Sequence, residues 1–225
     1  MKRLTLRAFA GLAFLLAVVG LVLFGAAGTI GYWQAWVFLT VFGGAAVLIT
    51  IDLAVHDPAL LERRVHAGPA AEQKTSQKVI QSLASLAFLA TFVLAGLDHR
   101  AGWSHIATPL AVAGNVVAAV GLYIVFRVFR ANTFTSATIE VAREQQVVTT
   151  GPYAIVRHPM YAGALIMMVG VPLALGSWWA VPAVLVLIGV IVWRLLDEEN
   201  LLATELRGYA EYRTKVKYRL VPLVW

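Results

Sequence analysis

Residues 145–161 of this chain read QQVVTTGPYAIVRHPMY, a polar stretch that holds a cation, an imidazole and two tyrosines. Apolar segments precede and follow it, and 60% of the whole sequence is hydrophobic while only 13% is charged. With a mean hydropathy of +0.78, a chain of 225 residues has too little polar surface for a soluble globule. The sequence therefore predicts an all-α fold, a helical bundle embedded in a membrane.

Six apolar segments qualify as spans, because a span needs about 20 predominantly apolar residues. They cover residues 8–24, 30–55, 79–97, 106–126, 161–175 and 178–196. The fifth is the shortest, contains Pro172 and is joined to the sixth only by Gly176 and Ser177, which predicts a tight helical hairpin. Apolar residues from Leu201 to Val216 then recur at helical spacing and predict a C-terminal amphipathic helix. We expect about six transmembrane helices in a single integral-membrane domain.

The basic residues predict the orientation of the bundle. With six spans, every lysine and arginine except Arg100 falls on one side of the membrane, and Arg143 is among them. By the positive-inside rule this side is the cytoplasm, and both termini lie there. The membrane would be the inner (plasma) membrane in a bacterium and the endoplasmic reticulum in a eukaryote.

Composition also excludes several classes of function. The absence of cysteine excludes disulfides and thiolate metal sites, and the histidines lack ligand-like spacing, so we expect no metal. The net charge of +6 is explained by lipid headgroups and topology, not by nucleic acid. The span interiors hold few of the ionisable groups that transporters place along a solute path. Polar residues concentrate at the cytoplasmic surface, which favours an enzyme that meets a soluble cofactor and a lipid-borne substrate.

The polar stretch itself suits an anion. Gly151 and Pro152 predict a turn, and His158 followed by Pro159 is a typical start of a helix. The amides at that start, together with Arg157 and His158, would bind a carboxylate or a phosphate. In the alternative interpretation, Arg157 and His158 only reach towards lipid headgroups.

A second polar cluster, DEEN at residues 197–200, closes the sixth span. Adjacent carboxylates at the C-terminal end of a helix oppose its dipole unless they have a cationic partner or the helix continues. The alternative is a solvated acidic face. The loop at residues 63–78 is a candidate cap over the site, although a lone loop histidine such as His66 is usually just solvated.

Three strings in the sequence resemble one known family: VVTTGPYAIVRHPMYAG, EENLL and GYAEYRTKVKYRLVP. Together they are similar to the isoprenylcysteine carboxyl methyltransferase superfamily, which includes phospholipid N-methyltransferases and small-thiol S-methyltransferases. The resemblance implies S-adenosylmethionine as the cofactor, S-adenosylhomocysteine as its product, and a substrate tunnel that opens sideways into the bilayer. Residues 1–126, with four spans, would form the substrate-side half, and residues 127–225 would form the cofactor-binding half.

The resemblance also implies a set of cofactor-binding residues. Carried over position by position, they are Gln145, Gln146, Val147, Val148, Gly151, Tyr153, Arg157, His158, Tyr161, Gly163, Glu198 and Glu199. A cation among them would pair with the methionine carboxylate, and tyrosine faces would attract the sulfonium. A glutamate would accept hydrogen bonds from the ribose hydroxyls or the amino group. Gly163 would let a ligand approach the backbone closely.

The methyl acceptor is left open as an oxygen, sulfur or nitrogen nucleophile on a lipophilic or small apolar molecule. For a carboxylate acceptor, Arg127 or Arg130 would hold it in the attacking geometry. For a thiol or an amine, Glu198 or Glu199 would act as the general base. Two other classes also stay open. One is an NADPH-dependent sterol-type reductase, which shares a distantly similar C-terminal pattern but is usually larger, and the other is a non-catalytic membrane protein.

Overall fold

A computed structural model describes residues 2–72, 74–139 and 145–225. These ranges contain eight α-helices and two short 3₁₀ turns at Pro69–Ala71 and Gly151–Ala154. The helices are α1 (Lys2–Ala27), α2 (Trp33–His56), α3 (Pro58–Val65), α4 (Thr75–Ala101), α5 (Thr108–Ala131), α6 (Pro159–Ala174), α7 (Val181–Glu205) and α8 (Tyr209–Lys215). No strand occurs in the described ranges, so the predicted all-α fold class is confirmed.

Four of the described helices, α1, α2, α4 and α5, are long and apolar enough to cross a membrane. The helices α6 and α7 occupy the positions of the fifth and sixth predicted spans. With 16 residues, α6 is the shorter apolar helix that the sequence predicts. The 25-residue helix α7 is apolar in its first half only, because Arg194, Asp197 and Glu198 follow.

Large apolar side chains are exposed on the outer faces of several helices, among them Leu21, Leu48, Leu86 and Leu185. Such a surface is expected where lipid replaces water around the protein. The fold is accordingly that of an integral membrane protein. The orientation of the termini stays a prediction, and Arg143, which contributed to it, lies outside the described residues.

The predicted amphipathic C-terminal helix is divided into two parts. Helix α7 continues past the end of its apolar half to Glu205, and α8 begins at Tyr209. Gly208, between them, has a φ of 87°, a left-handed conformation that favours glycine. The break turns the buried side chains of Tyr209 and Tyr212 towards the end of α7.

Glycines let α5 and α6 pack with their backbones in close contact. A methyl group at Gly121 would overlap the backbone of Met167, and one at Gly114 would overlap the backbone nitrogen of Ala174. Gly163 faces the carbonyl oxygen of Gly121 in the same interface. Small residues of this kind permit close helix packing in membranes, where van der Waals contact drives association. The polar chain between α5 and α6 therefore starts and ends on one tightly packed helix pair.

The opposite end of the bundle is held by a buried polar cluster. Asp98, 1% exposed, accepts hydrogen bonds from the backbone and hydroxyl of Ser104 and from the hydroxyl of Ser177. The hydroxyl of Tyr32 donates to the carbonyl of Leu175 at 2.5 Å. These contacts fix the short α6–α7 connection to α2 and α4, and with it the positions at which α6 and α7 approach the polar segments.

Candidate active site

The two polar clusters of the sequence meet at a buried ion-pair cluster. Arg157 Nε donates to Glu199 Oε1 at 2.6 Å, and both side chains are 5% exposed. Arg219 Nε donates to Glu199 Oε2 at 2.8 Å. His158 Nε2 lies 3.4 Å from Oε1 of the same carboxylate, within ion-pair range but without the geometry of a hydrogen bond. Glu199 of α7 is thus shared by Arg157 and His158, just before α6, and by Arg219, which follows α8.

The charge of Glu199 is maintained by this cluster. Burial alone would raise the pKa of its carboxyl, because a buried site disfavours the charged form. The contacts from His158, Arg157 and Arg219 outweigh burial and bring the pKa well below its usual range. Glu199 is therefore ionised and balances the neighbouring guanidinium groups, as a buried charge requires.

Backbone contacts fix the polar stretch to the segment that follows α8. The amide of Arg157 donates to the carbonyl of Tyr218 at 2.9 Å, and the amide of His158 donates to that of Arg219 at 3.0 Å. Arg157 Nη1 also donates to two carbonyls, those of residues 216 and 217, at 3.0 and 2.8 Å. Arg157 and His158 are therefore held by backbone hydrogen bonds as well as by the contacts of their side chains with Glu199.

A pocket opens beside this cluster, and polar segments from several parts of the chain form its walls. Its lining residues are Asn132, Phe134, Thr135, Ser136, Thr138, Ile139, Gln145, Gln146, Val147, Val148, Tyr153, Arg157, His158, Pro159, Met160, Tyr161, Arg194, Glu198, Leu201, Leu202, Leu206, Tyr209 and Tyr212. The start of α6, the end of α7 and α8 thus share one cavity with the chain that connects α5 to α6.

A second buried network lies on the α7 wall of the pocket. Arg194, 7% exposed, donates from Nε to the hydroxyl of Tyr161 at 3.2 Å. That hydroxyl in turn donates to Glu198 Oε2 at 2.5 Å. The other nitrogens of Arg194 donate to Glu72 Oε1 at 2.8 Å and to Gln77 Oε1 at 2.9 Å. Arg194 therefore joins α6, α7 and the chain on either side of the start of α4.

Three arginines hold the wall at residues 132–139. Arg63, Arg64 and Arg194 donate to backbone carbonyls of residues 133, 136 and 137, at 2.6, 3.1 and 3.0 Å. The loop at residues 63–78, predicted as a cap, thus contacts the outer side of this wall. His66 is exposed, its Nδ1 contacts the carbonyl of Glu62 at 3.0 Å, and it does not line the pocket.

Two buried polar atoms on the pocket wall have no hydrogen-bond partner in the described part of the chain. They are Nε2 of His158 and the hydroxyl of Tyr209. Buried polar groups in proteins are nearly always satisfied, so each of these atoms is a candidate to bind a ligand. Burial and the carboxylates of Glu199 and Glu198 raise the pKa of the Tyr209 hydroxyl, which is therefore a protonated donor. The neighbouring Tyr212 hydroxyl already donates to the carbonyl of Tyr153 at 2.7 Å.

The pocket brings together most of the predicted cofactor residues. Those on its walls are Gln145, Gln146, Val147, Val148, Tyr153, Arg157, His158, Tyr161 and Glu198. Glu199 lies behind the wall and holds Arg157. Gly151, at a φ of 60°, makes the turn before Tyr153, and Gly163 packs against α5, so neither lines the pocket.

The two arginines predicted to orient a carboxylate acceptor lie elsewhere. Arg127 is exposed and donates to the hydroxyl of Tyr123 at 3.3 Å. Arg130 is exposed and lies 3.4 Å from the carboxylate of Asp52. Neither residue lines the pocket, and their role in catalysis stays a prediction.

Sequence reasoning did not single out Arg194, Glu72 or Tyr209 as site residues. Arg194 carried a usable signal, because a charged residue in the last turns of an apolar span is costly and marks a functional contact. Glu72 carried none, since its partner is 122 residues away. Tyr209 belonged to the recognised motif, but its unpartnered hydroxyl is visible only in three dimensions.

Comparison with known proteins adds two findings. Residues 110–207, from the start of α5 to just beyond α7, match the family described as phospholipid methyltransferase. A stretch of 91 residues is 35% identical to a Delta(14)-sterol reductase of Mus musculus, and it covers 39% of this chain but only 22% of that protein. The chain thus spans less than a quarter of that relative's length. Over residues 110–207, somewhat less than half of its length, the chain is therefore similar to the phospholipid methyltransferase family, which belongs to the integral-membrane methyltransferases.

Proposed function

We propose that this protein is an S-adenosylmethionine-dependent methyltransferase that acts at the membrane surface on a lipophilic or small apolar acceptor. The family match supports a membrane methyltransferase in general. The observation that carries the choice of cofactor is the chemistry of the pocket wall. That wall combines neutralised arginines, one further carboxylate and several tyrosine rings.

The charges on the described part of the wall suit a cationic ligand. Arg157 and Arg194 are the arginines that line the pocket there, and each is paired with a carboxylate, Glu199 or Glu72. Glu198 adds a negative charge on the same wall. A sulfonium with an ammonium group is compatible with this balance, whereas a polyanion would need cations that are not already paired.

Aromatic rings supply the second part of the fit. Tyr153, Tyr161, Tyr209 and Tyr212 line the pocket together with Phe134. The faces of such rings attract cations, and the attraction grows when the cation is removed from water. The rings also provide apolar area for an adenine base. A ligand that is both cationic and aromatic therefore matches this wall.

The polar ends of the ligand have matching atoms. The Tyr209 hydroxyl is a donor for a carboxylate or a ring nitrogen, and His158 Nε2 is available as a second polar contact. Glu198 would accept from the amino group or from the ribose hydroxyls. When bound, the cofactor supplies an electrophilic methyl group. The residues of this chain orient it, hold the acceptor in line and exclude water.

Proton transfer depends on the acceptor. A carboxylate acceptor loses no proton when it takes up the methyl group. A thiol or an ammonium does, and Glu198 is the carboxylate on the pocket wall that would receive the proton. The hydroxyl of Tyr161 occupies one of its oxygens at 2.5 Å and fixes its orientation.

A sterol-type reductase that uses NADPH is a second candidate, because the matched relative is a Delta(14)-sterol reductase. The identity covers a small part of that relative, and the paired arginines on the pocket wall do not favour the phosphates of a dinucleotide. The two functions differ in the ligand that binds without any acceptor present. Binding therefore discriminates between them before a substrate is known.

The test is isothermal titration calorimetry of the purified protein in phosphatidylcholine nanodiscs. We expect saturable binding of S-adenosylmethionine, competition by S-adenosylhomocysteine, and no binding of NADPH. The variant Glu198→Gln should weaken cofactor binding at least fivefold, whereas Glu211→Gln, which changes an exposed carboxylate on α8, should leave it unchanged. NADPH binding without S-adenosylmethionine binding would overturn the proposal in favour of the reductase.

A further inference from the structure

A second cavity lies at the end of the bundle opposite the pocket, next to the buried cluster around Asp98. Its polar lining residues are Gln34 at the start of α2, His99 in the last turn of α4, and Ser104 and His105 in the loop between α4 and α5. Gly176, in the turn between α6 and α7, lines it as well. The cavity shares no lining residue with the pocket, and the proposed function does not use it.

The amide of Gln34 is the unsatisfied group of this cavity. Its Oε1 atom is buried and accepts no hydrogen bond from the described chain. The segments that meet at this end, residues 28–36, 95–108 and 174–181, are described without a gap. Buried polar atoms in proteins nearly always have a partner, so this oxygen indicates a donor that the described chain does not supply.

The two imidazoles add further hydrogen-bonding groups. The ring of His99 stacks on that of Tyr32, with centroids 3.9 Å apart and planes 15° from parallel. The Tyr32 hydroxyl donates to the carbonyl of Leu175, so the stack is fixed from below. A neutral imidazole donates at one nitrogen and accepts at the other. With the amide of Gln34 and the imidazole of His105, the cavity therefore offers both donors and acceptors to a ligand.

The described lining of this cavity contains no lysine, arginine, aspartate or glutamate. The nearest carboxylate, that of Asp98, is buried and already accepts hydrogen bonds from Ser104 and Ser177. Arg100 lies beside Gly28 and does not line the cavity. An ionic ligand would thus meet no lysine, arginine or carboxylate in this lining, whereas hydroxyl groups, which both donate and accept, match the amide and the neutral imidazoles.

Tryptophans place the cavity at the surface of the membrane. The rings of Trp103 and Trp179 lie 5.4 Å apart, and each residue is more than half exposed. Trp178 is exposed as well, and its amide donates to the hydroxyl of Ser104, which lines the cavity. Tryptophan is enriched at the depth of the lipid headgroups. A lipid of that leaflet therefore presents its headgroup at the level of the cavity.

We infer that this cavity binds the uncharged, hydroxylated headgroup of a lipid, a glycerol or a sugar, in the leaflet opposite the pocket. Gln34 Oε1 accepts from one hydroxyl of the headgroup, and His99 and His105 contact its neighbours. The bound lipid would join the start of α2, the end of α4 and the α6–α7 turn. The inference does not depend on the proposed function, because the two sites share no lining residue.

The test follows the five histidine side chains by NMR of isotope-labelled protein in phosphatidylcholine nanodiscs. The measurement is made at about pH 8, where an unperturbed imidazole is neutral. The probes are glycerol monododecanoate, dodecyl glucoside, dodecyl phosphate and methyl dodecanoate, which have tails of equal length. We expect a hydroxylated probe to shift the signals of His99 and His105 saturably and to leave those of His56 and His158 unchanged. It should bind about tenfold more tightly than methyl dodecanoate, since it makes at least two more hydrogen bonds.

Several outcomes would overturn the inference. One is the absence of any saturable shift at His99 and His105, which would show a cavity filled by water only. Another is a shift of His158 alone, which would place the probe in the pocket. Tighter binding of dodecyl phosphate would show an anion site instead. Equal affinity for free glucose and for dodecyl glucoside would show a site for a soluble sugar rather than for a lipid.

Two variants assign the binding to the cavity. Gln34→Leu removes the amide, and His99→Phe removes the ring nitrogens but keeps a ring to stack on Tyr32. We expect each variant to lose the preference for the hydroxylated probe over methyl dodecanoate, as reported by the signal of His105. Gln81→Leu, the same change at a position of α4 that lines neither cavity, should retain it. Retained preference in both cavity variants, or equal loss in Gln81→Leu, would overturn the inference.

Discussion

Arg157 Nε and Glu199 Oε1 are 2.6 Å apart, although 42 residues separate them in the chain and a short helical hairpin lies between them. Arg157 belongs to the first predicted polar cluster, residues 145–161, and Glu199 belongs to the second, residues 197–200. Their contact requires α6 and α7 to return to the same side of the bundle, where the pocket lies. Because the pair joins α6 to α7 beside the pocket, breaking it should affect both the stability of the fold and ligand binding in the pocket.

Replacing Glu199 with Gln should strongly destabilise the protein. The change leaves Arg157 and Arg219 without their carboxylate, and breaking a buried ion pair costs about 3–5 kcal/mol. Unfolding in mixed detergent micelles, followed by circular dichroism, measures the loss. Glu211→Gln is the matched control, because its pair with Lys215 is exposed and should contribute little. A similar small effect in both variants would contradict the structural role of Glu199.

The same carboxyl should make stability depend on pH in the acidic range. Its folded pKa lies below the ordinary value of 4.5, so the folded state favours the ionised form. The resulting stabilisation is fully present above the unfolded pKa and is lost as the pH falls through the folded value. The unfolding midpoint should drop on acidification below about pH 5. In Glu199→Gln this part of the drop should be absent, and an unchanged profile would speak against the assignment.

Tyr209→Phe and Tyr212→Phe should have opposite effects. The Tyr209 hydroxyl is buried without a partner, so its removal should leave the ligand-free protein as stable or more stable. Loss of one hydrogen bond to a charged ligand should weaken S-adenosylmethionine binding by about 1.5–3 kcal/mol. Tyr212 donates to the backbone, so its removal should lower stability instead. Thermal unfolding measures the stability of both variants, and calorimetry measures their affinity for S-adenosylmethionine. Equal changes in stability and affinity in the two variants would contradict this prediction.

Gly121→Ala should separate α5 from α6. The added methyl group would overlap the backbone of Met167, and overpacking of this kind costs about 1–3 kcal/mol. Gly189→Ala on α7 is the control, because a methyl group there meets open space. It should be neutral or slightly stabilising, since alanine favours a helix more than glycine does. Detergent-solubilised thermal unfolding would show the difference, and equal midpoints would rule out the close interface.

The membrane class and the helical fold could be predicted because they follow from local apolar runs. The juxtaposition of residues 145–161 with residues 197–200 also agrees with the sequence prediction, since two polar clusters at the same end of two adjacent helices must lie close together. The exact extent of each helix was less accessible. The helical spacing after Leu201 predicted that helix continues beyond residue 200, and α7 does extend to Glu205, but the break between α7 and α8 was not predicted.

The second network could not be predicted from local patterns. Arg194, Glu72 and Gln77 come from parts of the chain more than a hundred residues apart. Their hydrogen bonds depend on how α4 packs beside α7. Gly163, which the resemblance places near the cofactor, packs against the backbone of Gly121, and its role towards a cofactor stays a prediction. A glycine in the sequence indicates that something lies close to the backbone, but it does not indicate whether that neighbour is a ligand or another helix.

The backbone pairing of residues 157–158 with residues 218–219 has a consequence for any attempt to graft the pocket onto another protein. The family match ends at residue 207, before residues 218 and 219, whose carbonyls accept hydrogen bonds from the amides of Arg157 and His158. A chimaera cut at residue 207 would contain Arg157 and His158 but would lack the native carbonyls of residues 218 and 219 to which their amides donate. A graft that keeps these contacts must therefore extend from Thr108 through Arg219. It also needs a segment equivalent to residues 63–72 and Gln77, which donate to the pocket wall or pair with Arg194. A boundary taken from the family match alone would separate the Arg157–His158 pair from its backbone partners.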